Sequence, residues 1–248
     1  MKALVTGASS GIGRDIAKEL SERGYDLILV SRDLDKLNKI KEQLKTNVEV
    51  ESVDLSIAEN CIKLHDKYKD IDILVNNAGF GDCGKFTETK LEKELKMINT
   101  NIVAYHILAK LYLQDMKKKN KGKILNVASI AGFMPGPLMA TYYATKAYVV
   151  RLSESLREEL RKDKSKVKIS ILCPGPVDTN FNKVADVQFA LKGLSSQYVA
   201  KYAVTKMLKG KFYIVPGIKI KLARFGSKIT PSNIVAMISY NMQRRKIQ

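Results

Sequence analysis

The sequence lacks the features that mark several functional classes. It has three cysteines, Cys61, Cys83 and Cys173, isolated along 248 residues. None stands at metal-ligand spacing, and an odd set of lone thiols suits a reduced compartment better than a disulfide framework. Cys83 reads as an unreactive thiol rather than a nucleophile. His65 and His106 also lack partners at metal spacing and are expected to be structural. No apolar run approaches the ~18 residues of a membrane span. The opening Met1-Lys2-Ala3-Leu4-Val5 turns at Thr6-Gly7. That run is too short for a secretory signal and has no cleavage-type site, so a first strand and a cytoplasmic location are expected. Repeats, low-complexity linkers and an obvious domain boundary are also missing.

One absence is local. Residues 210–248 contain no Asp or Glu, while Lys211, Lys219, Lys221, Arg224, Lys228, Arg244, Arg245 and Lys246 give that stretch a charge of +8. The whole chain carries +18, which leaves +10 for the remainder. Such a balance admits nucleic acid, an acidic membrane or acidic substrates, or only a solvated lysine-rich surface.

What is present is a globular pattern: 45% of residues are hydrophobic, which excludes a disordered chain. Seven short apolar, largely β-branched runs read as strands: Ala3–Thr6, Leu27–Ser31, Val48–Val53, Ile71–Val75, Lys123–Val127, Val167–Cys173 and Phe212–Val215. Between them the pattern predicts helices over Ile12–Arg23, Leu34–Lys45, Ala58–Tyr68, Leu91–Lys118, Tyr142–Lys162 and Tyr198–Lys209. Ile16, Ala17 and Leu20 make one helical stripe, and Leu152, Leu156 and Leu160 another. Strands alternating with helices imply right-handed crossovers and a parallel sheet covered on both faces. The expected fold is therefore α/β, a doubly wound Rossmann-like sheet in a single domain. Residues 1–215 would form the dinucleotide-binding and catalytic part, and residues 216–248 a basic helical extension packed on it. In such sheets ligands sit beyond the carboxyl ends of the strands, so the residues that follow each strand matter most.

After the first strand comes Thr6-Gly7-Ala8-Ser9-Ser10-Gly11-Ile12-Gly13. Glycines permit a tight turn and let the backbone approach a pyrophosphate, and the next helix offers free N–H groups and its positive dipole end to that anion. After the second strand comes Ser31-Arg32. No acid ends this strand to accept a ribose 2′-hydroxyl, whereas Arg32 suits a 2′-phosphate, so NADP is expected in preference to NAD. Asp33 is expected to cap the following helix. After the third strand Asp54-Leu55 can frame an adenine, or Asp54 can cap a helix. After the fourth, Asn76-Asn77-Ala78-Gly79 combines small residues for close cofactor approach with amides that can tie strands together.

After the fifth strand comes Ser129, then Tyr142 thirteen residues on and Lys146 four further. Positions i and i+4 share a helix face, so a phenol and an ammonium can share one site. A free phenol has a pKa of about 10, and a nearby cation lowers it. A tuned tyrosine can give a proton to a carbonyl oxygen or take one from an alcohol. Tyr143, three residues before Lys146, is a rival on the same grounds.

Together these residues resemble the short-chain dehydrogenase/reductase family in its single-domain form. The resemblance rests on Thr6-Gly7-x-x-x-Gly11-x-Gly13, Asn76-Asn77-Ala78-Gly79, Ser129, Tyr142-x-x-x-Lys146 and Pro174-Gly175-Pro176-Val177-Asp178-Thr179, in the family's order and over residues 1 to about 215. It implies Tyr142 rather than Tyr143 as acid/base, and Asn101, in Ile98-Asn99-Thr100-Asn101, as the residue that holds a relay water. It implies that Lys146 bonds the nicotinamide ribose and that the backbone around Val177 to Thr179 receives the carboxamide. Ser9, Ser10, Ile12, Pro174 and Gly175 then join the cofactor's surroundings. The implied activity is an NADP(H)-dependent carbonyl reductase acting on a partly apolar small molecule. NAD(P)-dependent alcohol oxidation is an alternative, and so is a non-catalytic dinucleotide sensor, since fold does not dictate function. The family also suggests a homodimer or homotetramer through the helices at Leu91–Lys118 and Tyr142–Lys162.

Two further regions matter: a stretch that is either a substrate lid or an ordinary packed helix, and an extension that departs from the family's common ending. Phe181, Val184, Val187, Phe189, Ala190 and Leu191 belong to a stretch, 180–200, expected to cover the substrate. The extension interleaves Ile218, Ile220, Leu222, Ala223 and Phe225 with Lys219, Lys221 and Arg224, followed by apolar Ile234–Tyr240. It either packs beside the pocket or a subunit interface, or makes weak peripheral contact with anionic membrane. No nucleic-acid-reading module is recognisable, and no nucleic-acid partner is expected.

Overall fold

The computed structural model describes residues 1–179, 181 and 193–244. The chain forms β1 (Lys2–Thr6), α1 (Gly11–Ser21), β2 (Asp26–Ser31), α2 (Leu34–Lys41), β3 (Val48–Ser52), α3 (Ala58–Lys67) and β4 (Ile73–Asn76). Next come α4 (Leu91–Ile98), a π-helical turn (Asn99–Val103), α5 (Ala104–Lys118), β5 (Lys123–Val127), a 3-10 turn (Ile130–Phe133), α6 (Ala140–Lys162) and β6 (Lys168–Leu172). Then follow β7 (Val177–Asp178), β8 (Leu194–Ser195), α7 (Ser196–Leu208), β9 (Tyr213–Ile214), α8 (Ile218–Ile229) and α9 (Ser232–Arg244).

Seven strands make one sheet in the order β3-β2-β1-β4-β5-β6-β9, and every pairing is parallel. The chain runs outward from β1 to β3, then returns to lay β4 on the other side of β1. This reversal opens a crevice at the carboxyl ends of β1 and β4. Because successive strand residues face opposite ways, the sheet feeds two cores. Ala3 and Val5 join α1 and α7 through Ile16, Leu20, Val199 and Val204. Leu4 joins α3, α5 and α6 through Leu64, Leu108, Tyr112 and Val150. Both faces being dry, each strand reads as a continuous apolar run rather than an alternating one.

Local chemistry sets the element ends. Asp33 caps α2 by accepting from the Lys36 N–H at 3.0 Å, as its position suggested. Ser195 caps α7 in the same way through the Tyr198 N–H. The helix expected over Leu91–Lys118 is not continuous: five residues around Asn101 take the π form. The short β7–β8 pair was not resolved from strand periodicity, which is too weak over two residues, and the extension expected to be helical divides into two helices, α8 and α9.

Candidate active site

A cleft of about 880 Å³ opens at the carboxyl end of the sheet. Of the residues singled out from sequence, Gly7, Ser9, Ser10, Gly11, Ile12, Arg32, Asp54, Leu55, Asn77, Ala78, Gly79, Ser129, Tyr142, Lys146, Pro174, Gly175, Val177 and Thr179 line it. Gly13 and Asn101 lie beneath its floor.

The floor begins with the β1–α1 loop. Gly7 and Gly11 adopt φ of +64° and +54°, backbone that L side chains rarely take. Gly13 has another reason to be glycine: a Cβ there would stand 2.3 Å from the Gly7 carbonyl oxygen and 2.4 Å from Asn77 Nδ2. The β4 loop is bolted to this turn. Asn77 Nδ2 donates to the carbonyls of Thr6 and Gly7, and the Thr6 hydroxyl accepts from the N–H groups of Asn77 and Ala78. One strand along, Asn76 Nδ2 donates to Asn126 Oδ1. The asparagine pair is thus a strand tie as well as a cleft surface. Ser10, the N-cap of α1, makes no side-chain bond to the helix. The first N–H groups of α1 therefore face the cleft without a capping side chain, the arrangement that accepts an anion.

Arg32 lies where β2 ends. Its guanidinium has no ion pair among the described residues, whereas Lys36, also in the cleft wall, pairs with Asp33 at 2.5 Å. Two cations thus border this end; sequence reasoning missed Lys36, although its place in the first turn after Arg32 was a usable signal. Asp54 does not cap α3, whose N-cap is Ile57. Instead Asp54 Oδ1 accepts from the N–H and hydroxyl of Ser56, and Lys96 lies 3.6 Å from Oδ2. Burial alone would raise this carboxyl, but the Ser56 bonds and Lys96 outweigh it and hold it below the usual range.

At the other end Ser129, Tyr142 and Lys146 converge. Ser129 ends the β5 segment and caps the 3-10 turn, its Oγ accepting from the Ala131 N–H at 3.1 Å; the hydroxyl proton is left to donate elsewhere. Lys146 is buried, and its Nζ donates to the Val127 carbonyl at 3.0 Å. The same Nζ lies 5.8 Å from the Tyr142 ring centroid and 5.4 Å from that of Tyr105. Burial lowers the Lys146 ammonium to about 8. Burial also pushes the Tyr142 phenol up, with Ser129 pulling it down and the Tyr143 phenol adding to the rise. The expectation that Lys146 lowers Tyr142 is not met in the protein alone. Desolvation of the phenolate is the largest cause, and the Ser129 bond rather than Lys146 is what opposes it.

Tyr143 is set apart by its surroundings. Its hydroxyl accepts from Gln243 Nε2 at 2.5 Å, and its ring fills the space where Gly136 has no Cβ. The two rings are 6.1 Å apart and edge-on, so only Tyr142 turns toward Ser129 and Lys146. Asn101 is fully buried. Its Oδ1 accepts from the Phe80 N–H, and its Nδ2 donates to the Phe80 carbonyl and to Thr145 Oγ1. Thr145 in turn donates to the Tyr142 carbonyl at 2.7 Å. The amide therefore joins the β4 loop to the first turns of α6. This link was not readable from sequence, since it depends on the π turn that aims residue 101 inward.

The extension supplies another wall: Ile220, Val235, Ile238 and Met242 line the cleft. The segment thus packs beside the pocket on one face, which leaves its other face open to either reading. Phe181 stands over the site, its ring 5.4 Å from that of Tyr142. Val184, Val187, Phe189, Ala190 and Leu191 lie outside the described residues, as do Arg245 and Lys246. His65 pairs with Asp115 at 2.8 Å between α3 and α5, and His106 with the Tyr148 hydroxyl at 2.7 Å between α5 and α6, both structural positions.

Comparison with known proteins shows the family and the fold. The family described as short chain dehydrogenase matches residues 1–188. An uncharacterized oxidoreductase of Staphylococcus epidermidis is 37% identical over 211 residues, covering 82% of this chain and 90% of its own. A short-chain dehydrogenase from Sphingobium yanoikuyae, solved with NADPH, superposes with a TM-score of 0.81 at 28% identity, covering 91% of this chain and 94% of its own. A short-chain dehydrogenase/reductase from Burkholderia phymatum, solved with NAD, does so at 0.83 and 25% identity, covering 90% of this chain and 91% of its own.

Proposed function

The chain belongs to the short-chain dehydrogenase family and is an oxidoreductase of that family, and we propose that it uses NADP(H) to interconvert a carbonyl and a secondary alcohol with Tyr142 as general acid and base. The observation that carries this reading is the convergence of Ser129, Tyr142 and Lys146 at one end of a cleft whose other end is bordered by Arg32 and Lys36. The residues present fit a dinucleotide: an uncapped helix N-terminus at mid-cleft for the pyrophosphate, and cations by β2 for a 2′-phosphate. When bound, the nicotinamide supplies hydride for reduction or accepts it in oxidation.

The remaining work falls to the side chains. A phenol held protonated by burial is ready to donate to a carbonyl oxygen as that oxygen gains charge. The Ser129 hydroxyl, already accepting from Ala131, directs its own proton to the same oxygen and orients the substrate. Lys146 donates one hydrogen bond to the Val127 carbonyl and keeps its other donors for a ribose hydroxyl and for the phenol. Asn101 holds the β4 loop against α6, which keeps Tyr142 in register, and in this reading it also holds a water that relays protons from Lys146. Phe181, Met134 and Met139 around Tyr142 favour a substrate with an apolar part. A homodimer or homotetramer through α4–α5 and α6 belongs to the same reading.

Replacing Tyr142 by Phe removes the acid and leaves the cleft's shape. NADPH oxidation by a panel of ketones should fall at least ~10³-fold while NADPH still binds. Turnover near that of the parent would refute the assignment.

A further inference from the structure

Helices α8 and α9 line the cleft with one face and leave another bare. At about 100° per residue, Ile218, Leu222, Phe225 and Ile229 fall within roughly 60° of arc. They are 75%, 65%, 64% and 70% exposed. The helix is nonetheless firmly seated on its other side. The Arg224 guanidinium lies 3.6 Å from the Tyr213 ring centroid and 4.7 Å from that of Phe133, and Ile220 packs against Gly175. On α9, Ile234, Ile238 and Met242 repeat every four residues and are 41%, 49% and 53% exposed. Ile238 and Met242 also line the cleft, so the apolar surface runs up to its mouth. Among the described residues, nine of the seventeen exposed large apolar side chains lie on these two helices. A patch of this kind is uncommon on a surface that meets only water.

The charges around it are of one sign. On the α8 wheel Lys219 falls on one side of the stripe, and Lys221 and Lys228 on the other, all exposed. The segment 210–248 has eight lysines and arginines and no acid. We propose that α8 and α9 form a docking surface for an anionic lipid bilayer. The apolar stripe enters the acyl boundary, and the flanking lysines reach the headgroup phosphates along their aliphatic stems. Charge complementarity selects this occupant. A second copy docked by the same patch would bring its Lys219, Lys221 and Lys228 against their own counterparts, with no Asp or Glu in residues 210–248 to offset them. A nucleic acid offers phosphates but nothing apolar to cover the stripe. Contact is peripheral, since no helix among the described residues is long and apolar enough to cross a membrane. The docking is independent of the catalytic reading. Given that reading, however, the mouth of the cleft opens on the bilayer, and an apolar carbonyl compound can enter from it.

Sedimentation of the full chain with phosphatidylcholine vesicles, with and without phosphatidylglycerol, tests this. Binding should be at least tenfold stronger on the anionic vesicles and should weaken between low and physiological salt. The double variant Leu222→Ser/Phe225→Ser, and separately Lys221→Glu/Lys228→Glu, should each reduce binding roughly tenfold. Thermal unfolding and turnover of a water-soluble ketone should stay as in the parent for both variants. No pelleting at either salt, equal pelleting on neutral vesicles, or binding unchanged in both variants would overturn the proposal. So would parent oligomers that dissociate in the Leu222→Ser/Phe225→Ser variant without lipid, because the face would then be a subunit interface.

Discussion

Tyr142 and Lys146 both sit where burial favours the neutral form: the phenol is pushed up and the ammonium down to about 8. The sign of the pH dependence follows. A raised phenol pKa keeps the donor protonated through neutrality, so kcat/KM for reduction should be flat from about pH 6 to 8 and fall only in the alkaline range. Oxidation needs the phenolate, so its kcat/KM should climb with pH across that interval. An oxidative optimum below neutrality would contradict a buried phenol as the base. Arg32, exposed and without an ion pair among the described residues, bears on the choice of cofactor. Arg32→Asp should weaken NADPH binding at least tenfold and leave NADH binding equal or better, read from nicotinamide fluorescence titrations. An unchanged ratio would remove Arg32 from that role. At this scale the choice between Tyr142 and Tyr143 was not available from spacing. The family resemblance made that choice, and in the structure Gln243, a hundred residues away, engages the Tyr143 hydroxyl.

Strands and helices were largely legible as elements because each strand is dry on both faces and each helix on one, leaving runs and stripes in the sequence. The break at Asn99–Val103 was not. A π turn accommodates one extra residue without changing composition, and such turns often occur at functional positions. Here the turn aims the Asn101 side chain at Phe80 and Thr145. Asn101→Ala leaves those groups short of partners, at a cost of about 1–3 kcal/mol. Denaturant unfolding should show that loss, and kcat should fall with little change in NADPH affinity. Unchanged stability and turnover together would mean that the amide does not hold α6 in place.

Over the whole molecule, the cleft is closed by a segment distant in sequence from its floor. Deleting residues 218–248 removes the wall formed by Ile220, Ile238 and Met242. The sheet should still unfold cooperatively, and NADPH should still bind to the β1–α1 loop. KM for an apolar ketone should rise roughly tenfold, since two or three buried aliphatic contacts are lost. An unaltered KM would place the substrate elsewhere in the cleft. The order of strands and helices and the glycine turn followed from the sequence alone, and the set of Asn101, Ser129, Tyr142 and Lys146 from the family resemblance of its motifs. Local periodicity and steric limits on the backbone act over a few residues, and the pattern records them. The convergence of Ser129, Tyr142 and Lys146, the bonding of Asn101 to Phe80 and Thr145, the rise rather than fall of the Tyr142 pKa, and the use of α8 and α9 as wall on one face and bare apolar surface on the other were decided only by tertiary structure. Burial and proximity between distant segments set each of these, and neither quantity exists until the sheet has brought the segments together.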